Sequence, residues 1–218
     1  MNIEELEMYL TPGRVAKMKA VLSSRLGQFA IVLDNVYDPH NISAVLRSCD
    51  AFGIQDVHVI ETIEPFRVNR EVSHHTEKWL SIHCWPGYAE CCAALHNQGF
   101  AVYATSMSDQ AESIFSLPVD KSLALVFGNE HRGVDPALAD HCDGQVVIPM
   151  TGFVQSLNVS VAAAVAMNTI SHAMRNELGD KALLSPERRT TLYRQWLERQ
   201  VNDKNRPRRT PSQYGGEQ

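Results

Sequence analysis

Two unbroken apolar runs, Phe29 to Leu33 (FAIVL) and Leu123 to Phe127 (LALVF), constrain this chain more than any other feature. A strand with water on one face alternates apolar and polar residues. A run that is apolar at every position is buried on both faces, as in a parallel sheet covered by helices. Val57 to Ile60, Phe100 to Ala104 and Gln145 to Ile148 read as strands too, the last ending at Pro149, which has no N–H for a ladder. Leu80 to His83 is a weaker strand. Between the strands, Ile42, Val45, Leu46, Cys49 and Phe52 share one helical face before Gly53, Tyr88 to Asn97 forms a helix before Gly99, and Pro136 to Ala139 a short one. From Asn158 the apolar residues Val159, Ala162, Ala163, Val165, Ala166, Met167 and Ile170 recur at helical spacing, with Ser156 or Asn158 as the cap. Strands alternating with helices predict an α/β fold: a mostly parallel sheet with helices on both faces.

With 218 residues the chain forms one main domain with extensions. Residues 1–26 read as an N-terminal helical arm broken by a turn at Thr11, Pro12 and Gly13. Residues 27–176 make the α/β domain, and 177–218 a C-terminal extension with a helix from Pro186 to Val201 and a flexible polar tail. Glu61 to Lys78 is a long polar connection without periodicity, in which His74 and His75 read as solvated loop residues. Ser106 to Ser116 is polar with a short helical turn. No apolar run approaches the roughly 20 residues of a membrane helix, and Glu4, Glu5 and Glu7 argue against a signal peptide, so the expected location is cytoplasmic. Five cysteines without a CxxC pair argue against a disulfide frame, and His83, Cys84, Cys92 and His96 match no zinc spacing; no metal is expected.

The formal charge of −5 is unevenly spread. Residues 175–218 hold ten Lys and Arg against six Asp and Glu, and Thr11 to Arg25 carries Arg14, Lys17, Lys19 and Arg25 with no acid. With Arg188, Arg189, Arg194 and Arg199 in the last helix, two basic extensions flank an acidic body, a pattern that suits a gripped polyanion. Solvated helix faces would have the same composition.

Three loops follow three strands and carry more polar groups than a connection needs. The first, DNVYDPHNISAVLR (34–47), holds Asn41 and Arg47; an arginine there can grip a phosphate. GNEHRG (128–133) brings Glu130 between two glycines, and PMTGFVQSLN (149–158) brings Ser156 and Asn158 to a helix start. Each has an ordinary reading as well: Asn41 as a helix cap, Arg47 and Glu130 as solvated charges, the third loop as one more βα turn. In an open α/β sheet, however, such loops converge beyond the carboxyl ends of the strands. No GxGxxG, GxxxxGK[ST] or GxSxG is present to support a dinucleotide, P-loop or hydrolase site.

Taken in order, HNISAVLRSCDAFG, LALVFGNEHRGV and VVIPMTGFVQSLNVSVAAAVAM resemble the three motifs of the SpoU/TrmH family of SPOUT RNA methyltransferases over about residues 29–175. The resemblance implies S-adenosylmethionine as methyl donor, a C-terminal trefoil knot, and a homodimer whose site borrows residues across the interface. It implies transfer of a methyl to a ribose 2′-hydroxyl of RNA, at guanosine 18 of the tRNA D-loop. The same reaction on ribosomal RNA or at another tRNA position is the nearer rival, and an inactive RNA-binding protein the more distant one. By the motifs, Asn41, Arg47, Glu130, Ser156 and Asn158 match catalytic positions, and Thr105, Gly128, Ile148 and Leu157 match positions that contact the cofactor. The terminal helices match those that help hold tRNA. His131 and Arg132, and the 61–78 connection, depart from the pattern.

Overall fold

A computed structural model describes residues 1–63, 66–73 and 76–205. His74, His75 and the tail beyond residue 205 lie outside the described residues. Seven strands form one sheet: β1 (Leu26–Asp34), β2 (Ile54–Ile60), β3 (Ser81–Trp85), β4 (Ala101–Thr105), β5 (Glu112–Ser113), β6 (Leu123–Phe127) and β7 (Gly144–Val147). Their order is β3-β2-β1-β6-β4-β7-β5, and every pairing is parallel. The chain runs outward from β1 to β3, then returns so that β6 is inserted between β1 and β4. All carboxyl ends therefore face one edge, and the loops after β1, β6 and β7 emerge together there.

The helices are α1 (Ile3–Glu7), α2 (Pro12–Ser23), α3 (Pro39–Phe52), α4 (Arg70–Ser73), α5 (Tyr88–Asn97), α6 (Pro136–Ala139), α7 (Val159–Leu178) and α8 (Pro186–Asn205). The apolar runs are buried on both faces, as their composition requires. Ile31, Leu33, Val57, Leu125 and Phe127 join α3 and α7 in one core, whereas Ala30, Val32, Val102, Ala124 and Val126 join α5 and α6 in the other. Each fully buried Leu, Ile or Phe contributes roughly 1.5–3 kcal/mol from removal of apolar surface from water. The extensions form a third core of their own. Leu6 of α1 and Met18 and Leu22 of α2 pack with Leu184, Leu192, Tyr193, Trp196, Leu197 and Val201, so the two ends of the chain meet in space.

Several local expectations change. α3 starts at Pro39, where proline's fixed φ suits the first helical position, and Asp38 caps it by accepting from the His40 amide at 2.8 Å. Asn41 is therefore inside the helix and its side chain is released for other partners. Asn158, not Ser156, caps α7, accepting from the Ser160 amide at 2.9 Å. Residues 106–116 contain the short strand β5 between two turns, closed by the Ala111 amide on Ser108 and the Ser116 amide on Ser113, while Ile114 and Ser106 donate backbone bonds to β7. The 61–78 connection holds α4 and a 3-10 turn, Thr76–Trp79. The last helix continues past Val201 to Asn205.

Candidate active site

Three side chains from three loops form one hydrogen-bonded chain at the carboxyl edge of the sheet. Glu130, from the loop after β6, accepts the Asn41 side-chain amide at 2.8 Å and the backbone amides of Tyr37 (3.2 Å) and Asp38 (3.4 Å). The Asn41 carbonyl oxygen in turn accepts the Asn158 side-chain amide at 3.1 Å. The Asn158 carbonyl oxygen takes the Ser160 amide and hydroxyl at the start of α7. An ionised carboxylate only accepts, so Glu130 fixes which way the Asn41 amide points, and Asn41 then fixes Asn158. With three donors on its two oxygens, Glu130 serves as an anchor of the first loop.

The other two motif residues stand beside this chain. Arg47 is exposed on α3, six residues or about 9 Å along the axis from Asn41, and among the described residues it forms no hydrogen bond or ion pair. Its guanidinium is available to a ligand. Ser156 is exposed in the third loop and likewise unbonded among the described residues.

Thr105, Gly128 and Ile148 lie at the carboxyl ends of the adjacent strands β4, β6 and β7. The Thr105 hydroxyl donates to the Val126 carbonyl at 2.8 Å, tying β4 to β6. Gly128 cannot carry a side chain, since a Cβ there would stand 2.1 Å from the Gly133 carbonyl carbon and the Val134 nitrogen, where the GNEHRG loop closes. Ile148 is partly buried against the core, and Leu157 is 36% exposed. Backbone amides from Met150 to Leu157 make no hydrogen bond among the described residues. Free amides beside an apolar floor suit a group with a carboxylate, a ribose and a purine, so the residues present fit S-adenosylmethionine.

Sequence reasoning passed over three residues that hold this edge together. Asp34, Asn35 and Asn129 are all buried, and all bond between the loops. The available signal was local: an asparagine directly after a strand tolerates a left-handed turn, and Asn35 has φ 46°.

The basic residues of the extensions divide into two groups. Arg25 is fully buried, paired with Asp50 and bonded to the Ile54 carbonyl at 3.0 Å, so it braces the fold and is withdrawn from any RNA surface. Burial lowers its pKa against the opposing pull of Asp50. Lys19 pairs with Glu7, Arg188 with Asp56 and Arg194 with Glu198. Arg14 bonds the neutral Gln200 side chain and Arg199 the Lys78 carbonyl, whereas Lys17 and Arg189 form no ion pair within 4 Å among the described residues. A cavity of about 580 Å³ between α2, α7 and α8 is walled in part by Arg14, Lys17, Arg175 and Trp79. His83 and His96 are engaged by Asp56 and Asp143, away from each other.

Residues 28–168 match the model of the SpoU rRNA Methylase family. The chain belongs to this family. Among SpoU relatives, the tRNA (guanosine(18)-2′-O)-methyltransferase of Thermus thermophilus is 35% identical over 188 residues, covering 86% of this chain and 97% of that protein. The crystal structure of the Aquifex aeolicus TrmH/SpoU tRNA modifying enzyme superposes with a TM-score of 0.79 at 30% identity, covering 87% of this chain and 97% of that one. A 23S rRNA (guanosine-2′-O-)-methyltransferase of Xanthomonas campestris is 37% identical over 152 residues, but the match covers only 68% of this chain and 59% of that protein.

Proposed function

We propose that this SpoU protein transfers a methyl group from S-adenosylmethionine to the 2′-hydroxyl of guanosine 18 in tRNA. The observation that carries the reading is the Glu130–Asn41–Asn158 chain, which assembles the three motif loops into one site beside the unpaired Arg47. The unbonded amides of residues 150–157, with Thr105, Gly128, Ile148 and Leu157, would hold S-adenosylmethionine, which would supply an electrophilic sulfonium methyl. The protein's task is to orient a weak nucleophile and give its proton somewhere to go. A guanidinium keeps its proton and, charged, has no lone pair with which to act as a base. Arg47 binds the phosphate next to the target ribose and aligns the hydroxyl, with Ser156 and Asn158 at the rim; as the C–O bond forms, the methyl–sulfur bond breaks, S-adenosylhomocysteine leaves, and the proton passes to phosphate or solvent.

Preference for tRNA over ribosomal RNA is supported by the extensions: the Thermus thermophilus and Aquifex aeolicus tRNA-modifying proteins match along 97% of their length, whereas the Xanthomonas campestris rRNA methyltransferase matches along 59%. The phosphate grip falls to Arg14, Lys17, Arg189 and Arg199. The same reading includes a homodimer and a knotted threading of the last third of the domain. A stripe of exposed apolar side chains, Phe153, Val154, Leu157, Val161 and Val165, runs from the third loop along α7 and suits a second copy. No helix among the described residues is long and apolar enough to cross a membrane.

The test is transfer of labelled methyl from S-adenosylmethionine to total cellular RNA, followed by mapping of the modified nucleotide. Label at guanosine 18 of tRNA is expected. Label in 23S rRNA would keep the chemistry and replace the substrate. Binding of cofactor and RNA without any transfer would end the enzyme reading.

A further inference from the structure

The loop that carries Glu130 is clamped at both ends to one dipeptide, Asp34-Asn35, at the tip of β1. On the near side, the Asn129 side-chain amide donates to the Asn35 carbonyl at 2.8 Å. On the far side, the Asp135 backbone amide donates to Asp34 Oδ2 at 2.8 Å. Within the loop, Asn129 takes the His131 amide on its side chain (2.9 Å) and the Gly133 amide on its backbone (2.8 Å), so the five-residue bend is closed from inside. The dipeptide is itself fixed. The Asn35 side-chain amide donates to Asp34 Oδ1 and to the Thr62 hydroxyl, both at 2.8 Å, and its carbonyl accepts the Ile63 amide at 2.8 Å. Asp34, Asn35 and Asn129 are 2%, 4% and 8% exposed, so water does not replace these partners. Asn35 is the one non-glycine residue with positive φ among the described residues, a conformation that aims its carbonyl at Asn129 and its side chain at residues 62 and 63.

We propose that Asp34, Asn35 and Asn129 are positioning residues for the reaction, a latch that sets where Glu130 stands and thereby the geometry of Asn41 and Asn158. Buried polar groups of this kind hold one arrangement because leaving any of them unpaired is costly. Glu130 closes the ring by reaching back from the clamped loop to the amides of Tyr37 and Asp38, two and three residues beyond Asn35. If the latch opens, the carboxylate and the loop that it anchors part company; of the cofactor contacts only Gly128 adjoins the latch, whereas Thr105 and residues 148–157 make no bond to it.

The inference rests on the methyl-transfer reading, and its test separates the two. Asn35→Gly keeps the left-handed backbone without strain and removes only the side-chain bonds; Asn129→Ala removes the bond to Asn35. For both, we expect kcat to fall about tenfold or more, with the Kd for S-adenosylmethionine and the KM for RNA within about twofold of wild type. In a Glu130→Gln background either change should cost much less, since it acts through Glu130. Full additivity with Glu130→Gln, or an unchanged kcat, would overturn the proposal. Hydrogen exchange of the Tyr37, Asp38 and Asp135 amides gives a readout independent of turnover: faster exchange there in both variants, with α7 unchanged, is expected. Unchanged exchange at all three overturns the latch even if the wild-type protein methylates no RNA, an outcome that by itself removes only the methyl-transfer reading.

Discussion

The side-chain amide of Asn158 donates to the side-chain oxygen of Asn41 at 3.1 Å, across 117 residues of chain. One bond thus joins the start of α7 to the first turn of α3, and Asn41 passes the constraint on to Glu130. Three loops that could each be an ordinary connection become one site because their amides and carboxylate satisfy each other.

Cutting that chain in its middle should slow turnover sharply and leave the fold standing. In Asn41→Ala, Glu130 loses one of three donors and Asn158 its acceptor, in a partly exposed setting where each bond is worth about 1 kcal/mol of stability. We expect methyl transfer to fall by about a hundredfold, measured in single turnover on bound RNA, with a thermal midpoint lowered by only a few degrees. A variant with full single-turnover activity would detach this chain from catalysis.

Arg47→Lys keeps the charge and loses the planar fork that binds a phosphate in two places. A loss of about a hundredfold in kcat, roughly 3 kcal/mol in the barrier, should accompany a much smaller change in RNA affinity. Near-normal turnover of the Lys variant would exclude both the orienting role and any role as base.

RNA affinity should depend on the basic residues that form no ion pair among the described residues. Lys17→Ala and Arg189→Ala are each expected to reduce the slope of log affinity against log salt by about 1, whereas Arg188→Ala and Arg25→Ala should act mainly on stability. Removing Arg25 empties a fully buried site and leaves the partly exposed Asp50 without its partner, so urea unfolding is the measurement there. Equal salt slopes for the Lys17 variant and wild type would remove the α2 arm from the RNA surface. Truncating before α8 is a poorer probe, since it strips Trp196 and Leu197 from the core that holds α1 and α2.

Stability should fall in acid through His58 of β2. The Trp85 indole N–H donates to His58 Nδ1 at 3.0 Å, and an indole cannot accept, so the bond needs that nitrogen bare. Burial first, then the neighbouring positive charge of His83, pushes the His58 pKa down to about 4 from an ordinary 6.5. Because the folded value lies below the unfolded one, its contribution is complete above about pH 6.5 and is lost as pH falls toward about 4. The full shift corresponds to about 3 kcal/mol. His58→Gln, which does not titrate, should flatten the dependence of urea-unfolding free energy on pH between 7 and 4.5; identical slopes would refute the assignment.

The sheet was legible in the sequence because FAIVL and LALVF admit no exposed face, and a strand buried on both sides leaves few architectures. The three loops were legible through their order after the strands, and Asn41, Glu130 and Asn158 from them bond to one another; catalytic roles for these and for Arg47 and Ser156 came from the family resemblance alone. Local chemistry left Asn41 open between a cap and a site residue, since an asparagine at a helix start can read as a cap; Asp38 with Pro39 just before it takes that place and frees Asn41. Arg25 was misread because composition counts a charge but does not say whether the side chain faces water. The partners of Glu130, the clamp from Asp34, Asn35 and Asn129, and the meeting of α1, α2 and α8 all join residues about 90 or more positions apart in the chain. The sequence by itself determined which residue types stand after which strands. Insertion of β6 between β1 and β4 decided which of them touch, because hydrogen bonds act over about 3 Å and strand order is set by the packing of the whole sheet.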